Sequence, residues 1–165
     1  MRAVIQRVRR AAVTVGDEMI SSIGRGLCVL VGIHKNDTSA DIDYMVRKIL
    51  NTRLFEDGSG KRWHLGVKDA GLEILCVSQF TLYCELKGNK PDYRHAMGGE
   101  AAQQFYEEFL GQLKKQYKED MIKDGKFGAM MQVDIQNDGP VTINIDSPSK
   151  KVIEKVIENS GDSQD

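Results

Sequence analysis

Four consecutive residues, Ser78-Gln79-Phe80-Thr81, end an apolar run with a hydroxyl, an amide, an aromatic ring and a second hydroxyl. The run itself, Ile74-Leu75-Cys76-Val77, has the length and the β-branched content of a buried strand. Such a strand ordinarily continues apolar or stops at a turn. Polar side chains placed directly after it therefore indicate functional groups presented at the end of a strand.

Each of these side chains suits a particular chemistry. Gln79 and the backbone N–H groups near it can donate hydrogen bonds to a developing oxyanion. Phe80 offers an aromatic surface to a nucleobase, and Thr81 brings a hydroxyl close to the bond to be cut. Because no general base stands nearby, Thr81 would be a poor nucleophile, and we predict that it positions the substrate. The alternative is structural, since hydroxyls at a strand end also bond to backbone groups.

A second segment, Asn137-Asp138-Gly139-Pro140, is typical of a turn between two strands. We therefore predict a hairpin with strands over 132–136 and 141–146. Gly139-Pro140 is nevertheless an unusual entry to a strand, because proline donates no ladder hydrogen bond. Only about 5–6% of X-Pro bonds in folded proteins are cis, so the sequence alone favours a trans bond here.

The sequence contains no established motif for nucleophilic or metal-dependent catalysis. There is no GxSxG segment, no HExxH segment and no CxxC pair. His34, His64 and His95 are scattered in turn-like contexts, and the closely spaced glycine pairs precede no predicted helix. We therefore expect neither a metal nor an organic cofactor.

The composition is that of one globular domain: 165 residues, 41% hydrophobic and 28% charged. A net charge of −1 weighs against a protein that holds nucleic acid mainly through charge. Two groups of basic residues remain as local patches, and the second supplies hypothetical phosphate contacts: Arg2, Arg7, Arg9 and Arg10, then Lys87, Lys90 and Arg94.

Three cysteines, Cys28, Cys76 and Cys84, form an odd set, which favours a reducing compartment. No apolar run approaches the ~18 residues of a membrane span, and the sequence opens without the pattern of a cleavable signal. We therefore expect a cytoplasmic protein without a membrane partner.

Hydrophobic periodicity predicts the elements that position these groups. Strands are expected over 3–8, 12–15, 19–23, 26–33 and 72–82, one helix ends near residue 51 and another starts near residue 99. The run 27–31 is apolar without alternation, so its strand should be covered on both faces. The fold class is α/β, a single domain over 1–148 with a mixed, mostly antiparallel sheet and two main helices. A polar tail, 149–165, should hold a short helix over 150–159 and be disordered from 160.

Several segments, in order along the chain, resemble the D-aminoacyl-tRNA deacylase family in its eukaryotic form. They are MRAVIQRV (1–8), GLCVLVGI (26–33), SQFTL (78–82), KGNKP (87–91), GKFGA (125–129) and NDGPVT (137–142). Tyr93 departs from the phenylalanine usual at its position. The resemblance implies a homodimer, with its sheet curled as a half-barrel, that hydrolyses the ester between a D-amino acid and the 3′ adenosine of tRNA.

The resemblance also implies roles for individual residues. Ser78, Gln79 and Thr81 would be the catalytic groups, and Phe80 and Leu82 would bind the substrate.

The remaining roles concern the pocket wall and the partner subunit. Met130 and Met131 would lie near the wall, and Arg7 would support the loop at Gly139 and Pro140. Gly139-Pro140, held cis, would reach into the other subunit's pocket and leave no room for an L side chain. Because glycine has no side chain to reject, Gly-tRNA would be cleaved as well.

Two other functions stay open at this level. A nucleic-acid-binding accessory protein without catalysis would need a contiguous basic face and steep salt dependence, and the even charge balance counts against it. A free-standing editing domain of an aminoacyl-tRNA synthetase would act on L-amino acids, and Gly139-Pro140 counts against it.

Overall fold

A computed structural model describes residues 1–148, so the predicted tail helix and disordered end lie outside the described residues. Within 1–148 there are eight strands, β1 (Arg2–Val15), β2 (Glu18–Ile23), β3 (Gly26–Gly32), β4 (Glu73–Ser78), β5 (Glu85–Lys87), β6 (Lys90–Asp92), β7 (Ile122–Asp124) and β8 (Gln132–Asp146). The same residues form three α-helices, α1 (Ser39–Asn51), the short α2 (Val67–Ala70) and α3 (Gly99–Gln116). The predicted α/β class with two main helices is confirmed.

β1 organises the main sheet. One of its edges pairs antiparallel with β3 and then with β2, while the other edge pairs with β8 along nearly its whole length. β4 and β7 continue the sheet beyond β3 in parallel, so the sheet is mixed, as predicted, and curls toward a barrel. The prediction of separate strands over 3–8 and 12–15 is wrong, because one continuous strand pairs first with β3 and then with β2.

The core lies on both faces of β3, which accounts for its apolar run without alternation. One face packs against α1 and α3 through side chains such as Met45 and Phe109. The other face, with Cys28, packs against side chains of β1 and β2 such as Val13 and Ile23. Cys28 and Cys76 are fully buried in this core, so the prediction that they act as small hydrophobic side chains is confirmed.

The hairpin predicted around Gly139-Pro140 is wrong, because both of its halves belong to the single strand β8. Its pairing with β1 passes from Gln6 opposite Thr142 to Val8 opposite Asn137, so two steps along β1 correspond to five along β8. The surplus residues bulge from the ladder at Gly139, whose φ is +122°. The Gly139–Pro140 peptide is cis, where the sequence alone favours trans.

The strand predicted over 72–82 is shorter than expected. β4 ends at Ser78, and Phe80–Tyr83 form one turn of 3₁₀ helix after Gln79. The loop at 87–91 is a short hairpin, since β5 and β6 pair around Gly88. These differences place the polar strand end on a tight turn rather than on an extended strand.

Candidate active site

A cavity of about 530 Å³ opens where β4 ends, between the 3₁₀ turn and the segment that precedes β8. Its lining includes Ser78, Gln79, Phe80, Thr81, Met130 and Met131, together with Val31, Ile33, Val77, Met97, Ala102, Phe127, Gly128, Ala129 and Val133. The structure therefore brings six of the predicted site residues together. Leu82, Arg7, Gly139 and Pro140 do not line this cavity.

Hydrogen bonds fix the backbone at the start of the turn. The Gln79 N–H donates to the Val31 carbonyl at 2.8 Å, and the Leu82 N–H donates to the Gln79 carbonyl at 3.2 Å. The side-chain amide of Gln79 donates to the Thr81 hydroxyl oxygen. Its backbone N–H and one of its two side-chain N–H groups therefore have acceptors within the turn, so Gln79 helps to hold the turn in shape.

The next two amides remain available. Within residues 1–148, the backbone N–H groups of Phe80 and Thr81 donate to no protein acceptor. Both belong to residues that line the cavity, and adjacent amides at the start of a turn form an anion-binding concavity. The backbone N–H groups of these two residues are therefore the unpaired backbone donors next to Gln79, and their role toward an oxyanion stays a prediction.

Gly32 lets the turn lie directly against β3. A Cβ atom at this position would stand 2.9 Å from the Leu82 Cβ and 3.2 Å from the Gln79 carbonyl oxygen. Only a residue without a side chain permits such close approach. Leu82 therefore contributes packing beneath the turn.

Arg2 holds the far end of the turn, and sequence reasoning missed this role. Its guanidinium donates to the Leu82 carbonyl at 2.9 Å, binds Asp146 at 2.7 Å and lies 5.0 Å from the centre of the Tyr83 ring. The hydrogen bond with Asp146 raises the pKa of Arg2. A cation at the start of an apolar strand was the sequence signal, but its partners are remote along the chain.

Aromatic rings border the cavity and support the turn. Phe80 is 56% exposed, and its ring centre lies 5.1 Å from that of Tyr93 in a T-shaped arrangement. Behind the turn, Tyr83 meets His34 edge-on at 5.2 Å, and His34 stacks on His95 at 5.7 Å. Burial lowers the pKa of His34. These two histidines therefore support the turn from outside the cavity.

The two methionines differ in how firmly they are held. Met130 is 84% exposed at the cavity mouth. The sulfur of Met131 accepts the Lys126 N–H at 3.4 Å and would lie 2.7 Å from a Cβ at Gly125. Met131 thus forms a fixed wall and Met130 an adaptable one.

No titratable side chain occurs among the described residues that line the cavity. The cysteine nearest in sequence, Cys76, is fully buried in β4, and burial raises its pKa well above the ordinary value. Within residues 1–148 no group of three or more His, Cys, Asp or Glu side chains converges to hold a metal ion. What the site offers to a substrate is hydroxyl groups, backbone amides and a shaped apolar surface.

The loop at Gly139 and Pro140 is exposed and is held by Arg7. The Arg7 guanidinium donates to the Asp138 carbonyl at 3.2 Å and to the Leu54 carbonyl at 2.7 Å, and it lies 3.5 Å from the Asp138 carboxylate. Arg7 therefore contacts the loop as predicted from the resemblance, although its functional role stays a prediction.

Acidic partners occupy most of the basic residues predicted to contact phosphate. Lys87 pairs with Asp92 at 2.7 Å, and Arg94 pairs with Glu85 at 2.9 Å. Lys90 is exposed on the same hairpin. Two of the three cations on this hairpin are therefore locally neutralised by ion pairs, which leaves Lys90 as the cation without an acidic partner among the described residues.

Comparison with known proteins identifies the family. The sequence model of the D-Tyr-tRNA(Tyr) deacylase family matches residues 4–146. The chain is 66% identical over 148 residues to "D-aminoacyl-tRNA deacylase 1" of Danio rerio, which covers 90% of this chain and 72% of that protein. It is 62% identical over 158 residues to "D-aminoacyl-tRNA deacylase" of Drosophila melanogaster, and the match covers 96% of this chain and 99% of that protein. The chain therefore belongs to the D-Tyr-tRNA(Tyr) deacylase family.

Solved structures agree with this fold. One titled "c-Myc DNA Unwinding Element Binding Protein" is 64% identical, with a TM-score of 0.88 over 90% of this chain and all of that one. Another, titled "Structural Analysis of a probable eukaryotic D-amino acid tRNA deacylase", shares the fold at 16% identity. Its TM-score is 0.74, over 87% of this chain and 98% of that one.

The resemblance noted in the sequence is thus confirmed. The chain is an enzyme that hydrolyses the ester bond of D-aminoacyl-tRNA, a proofreading step in translation. Within residues 1–148, no helix has both the length and the apolar character needed to cross a membrane.

Proposed function

We propose that this deacylase works by placing an activated ester rather than by attacking it with a side chain. The free amides of Phe80 and Thr81 would hold the ester carbonyl oxygen as negative charge develops on it. A positioned water, assisted by the neighbouring ribose 2′-hydroxyl, would attack the carbonyl carbon. The observation that carries this proposal is the cavity lined by polar groups without a titratable side chain.

The roles of the lining residues follow from their contacts. Gln79 holds the Thr81 hydroxyl, and that hydroxyl together with Ser78 would orient the water and the ribose. Phe80, with Tyr93 at its edge, would receive the terminal adenine by stacking. Met130 and Met131 would contact the amino-acid side of the substrate.

The active site, in this proposal, is completed by a second copy of the chain. Gly139 and Pro140 are exposed and do not line the cavity of their own subunit. Among the described strands, β8 pairs only with β1, which leaves a fifteen-residue strand with an open edge. Homodimer formation would cover this edge and bring the loop to the partner's cavity.

Chiral selection would then be steric. Carbonyl oxygens of the Gly139-Pro140 loop would hold the α-amino group and leave no space for an L side chain, while D side chains point to the open mouth. Rejection by a rigid wall discriminates better than extra affinity for the correct substrate. Glycine presents nothing to reject, so Gly-tRNA would also be cleaved.

A single deacylation assay tests these proposals. Purified protein should cleave D-Tyr-tRNA and Gly-tRNA and should leave L-Tyr-tRNA intact over the same period. Equal rates with D- and L-Tyr-tRNA would overturn the steric wall. Absence of Gly-tRNA cleavage by enzyme active on D-Tyr-tRNA would contradict the proposed selection by side-chain rejection alone.

A second candidate function is nucleic-acid binding without catalysis. It is supported by the 64% identical solved structure, which is that of a "c-Myc DNA Unwinding Element Binding Protein". Anisotropy titrations with duplex DNA at several salt concentrations, in the presence and absence of competing tRNA, test it. Tight DNA binding that tRNA does not displace supports a separate DNA surface, and failure to bind at low salt removes this candidate.

The proposed location is the cytoplasm. Cys28, Cys76 and Cys84 are free thiols within the described residues, and Cys84 is exposed. An exposed free thiol is typical of a reducing compartment. Fractionation of cells that express the tagged chain tests this assignment, and recovery outside the cytoplasmic fraction contradicts it.

A further inference from the structure

An exposed tryptophan lies next to the Gly139 loop, outside the cavity. Trp63 is 57% exposed, and its φ of +56° is the only positive value among the non-glycine residues of 1–148. Bulky side chains rarely adopt this backbone region, and residues that do so cluster at functional sites. Neither core packing nor the proposed catalytic groups account for this residue.

Arg7 connects Trp63 with the loop. Its guanidinium carbon lies 5.9 Å from the centre of the indole ring, within the range of a cation–π contact. The same guanidinium donates to the Asp138 carbonyl and would lie 3.3 Å from a Cβ at Gly139. The indole is therefore one side chain away from the loop proposed to face the aminoacyl ester.

Basic residues flank this tryptophan. Lys61 and Arg62 directly precede it, are exposed, and have no acidic partner within residues 1–148. Arg9 is 71% exposed and lies 4.0 Å from the Asp138 carboxylate, which it shares with Arg7. In contrast to Lys87 and Arg94 of the hairpin at 85–94, Lys61 and Arg62 form no ion pair within residues 1–148.

The acidic groups nearby are largely engaged. Asp57 accepts the backbone N–H groups of Ser59 and Lys61, at 2.8 and 3.0 Å. Glu56 pairs with Arg25 at 2.6 Å. An exposed indole, preceded by two cations without an acidic partner among the described residues, therefore lies near the Gly139 loop.

We propose that Trp63 stacks on an unpaired base of the tRNA acceptor end, while Lys61, Arg62 and Arg9 bind the adjoining phosphates. The inference rests on the proposed function, because it needs the Gly139 loop to face the ester of the terminal adenosine. In this proposal the nucleotides that precede this adenosine pass the loop and its flank. Aromatic stacking combined with basic side chains is the usual means of holding single-stranded nucleic acid.

The experiment compares two substrates that share the ester but not the RNA. With Trp63→Ala, KM for D-Tyr-tRNA should rise on the order of ten-fold, the effect expected from losing one stacked base. Cleavage of the 3′-D-tyrosyl ester of adenosine alone should stay unchanged, as should rejection of L-Tyr-tRNA. Trp63→Phe should retain most of the affinity for tRNA. Tyr44→Ala is the matched control, since Tyr44 also lies under a guanidinium, 5.6 Å from Arg47, but on α1.

The phosphate contacts proposed for Lys61 and Arg62 are tested separately, through the salt dependence of tRNA binding. The double variant Lys61→Ala/Arg62→Ala should reduce the salt dependence of tRNA binding by about 1.4 in log–log slope, the value for two phosphates of a single strand.

An unchanged KM for D-Tyr-tRNA with Trp63→Ala would overturn the inference. Equal losses on both substrates would also overturn it, since Trp63 would then only support the loop through Arg7. Failure of the proposed function is seen separately, as loss of chiral selection in the unaltered enzyme.

Discussion

At the scale of single residues, the site is defined by what its side chains cannot do. Within the described lining there is no carboxylate, imidazole, amine or thiol to move a proton. Thr81 accepts a hydrogen bond from Gln79 and has no base beside it. Its hydroxyl is therefore suited to orienting a water or the ribose, and an ester that is already activated requires little more.

Replacing Thr81 with alanine tests this role. The change removes one hydrogen-bonding hydroxyl, worth up to ~1.5 kcal/mol, so kcat should fall no more than about ten-fold. Single-turnover deacylation of D-Tyr-tRNA gives the value directly, with Thr81→Ser as the control that keeps the hydroxyl. Complete loss of activity in a folded Thr81→Ala protein, with Thr81→Ser active, would instead indicate a covalent threonine mechanism.

The residue types of the site were predictable from sequence, but their hydrogen-bonding state was not. Ser78, Gln79 and Thr81 were recognisable because polarity follows directly after an apolar strand. The free donors belong to the next backbone amides, since the Gln79 N–H is taken by Val31. That distinction depends on where β3 runs, and no local pattern in the sequence encodes it.

At the scale of elements, the 3₁₀ turn after β4 depends on the strand beside it. Gly32 provides the close approach on β3, and Arg2 fixes the turn from β1 by binding the Leu82 carbonyl. Both contacts come from residues remote in sequence. The turn is therefore a product of the sheet's pairing order, and its residues Phe80–Tyr83 resemble a continuing strand when read locally.

Gly32→Ala is expected to displace this turn. The added Cβ would stand 2.9 Å from the Leu82 Cβ and 3.2 Å from the Gln79 carbonyl, so the turn must shift to accommodate it. Because small misplacements of positioning groups are costly, kcat should fall by about ten-fold or more while the protein stays folded. Wild-type kcat in a folded Gly32→Ala protein would contradict the role given to the turn. Gly111→Ala on α3 is the matched control, since no atom lies within 4 Å of its added Cβ.

Elements with strong hydrophobic periodicity were predictable from the sequence. Elements that depend on long-range strand pairing were not. α1, α3 and β3 follow from helical spacing and from an unbroken apolar run, because their burial pattern is local. The hairpin predicted around Gly139-Pro140 failed because turn-forming residues look the same at a hairpin and at a bulge. Only the length of β1, which pairs with both halves of β8, distinguishes the two.

At the scale of the whole molecule, the cavity and the loop at Gly139 and Pro140 do not meet within the described chain. The loop does not line the cavity, and it is exposed with an arginine supporting it. The long strand β8 that carries the loop has an open edge among the described strands. Two identical chains related by two-fold symmetry would complete both sites at once.

Whether the partner's loop decides chirality, as we propose, can be measured in a mixed dimer. One chain carries Gly139→Ala, whose Cβ would lie 3.0 Å from the Val141 side chain and 3.3 Å from Arg7, so its loop is displaced. The other carries Ala129→Phe, which fills its cavity. Two different affinity tags allow the heterodimer to be purified. The Gly139→Ala homodimer is the reference, because its ratio of D- to L-Tyr-tRNA cleavage shows the effect of displacing both loops.

In this heterodimer the single open cavity belongs to the chain whose own loop is altered. If the partner supplies the wall, that cavity faces an intact loop and cleaves D-Tyr-tRNA while rejecting L-Tyr-tRNA as the wild-type enzyme does. If the wall acts within its own subunit, the heterodimer is as unselective as the Gly139→Ala homodimer, and this result would contradict selection by the partner's loop.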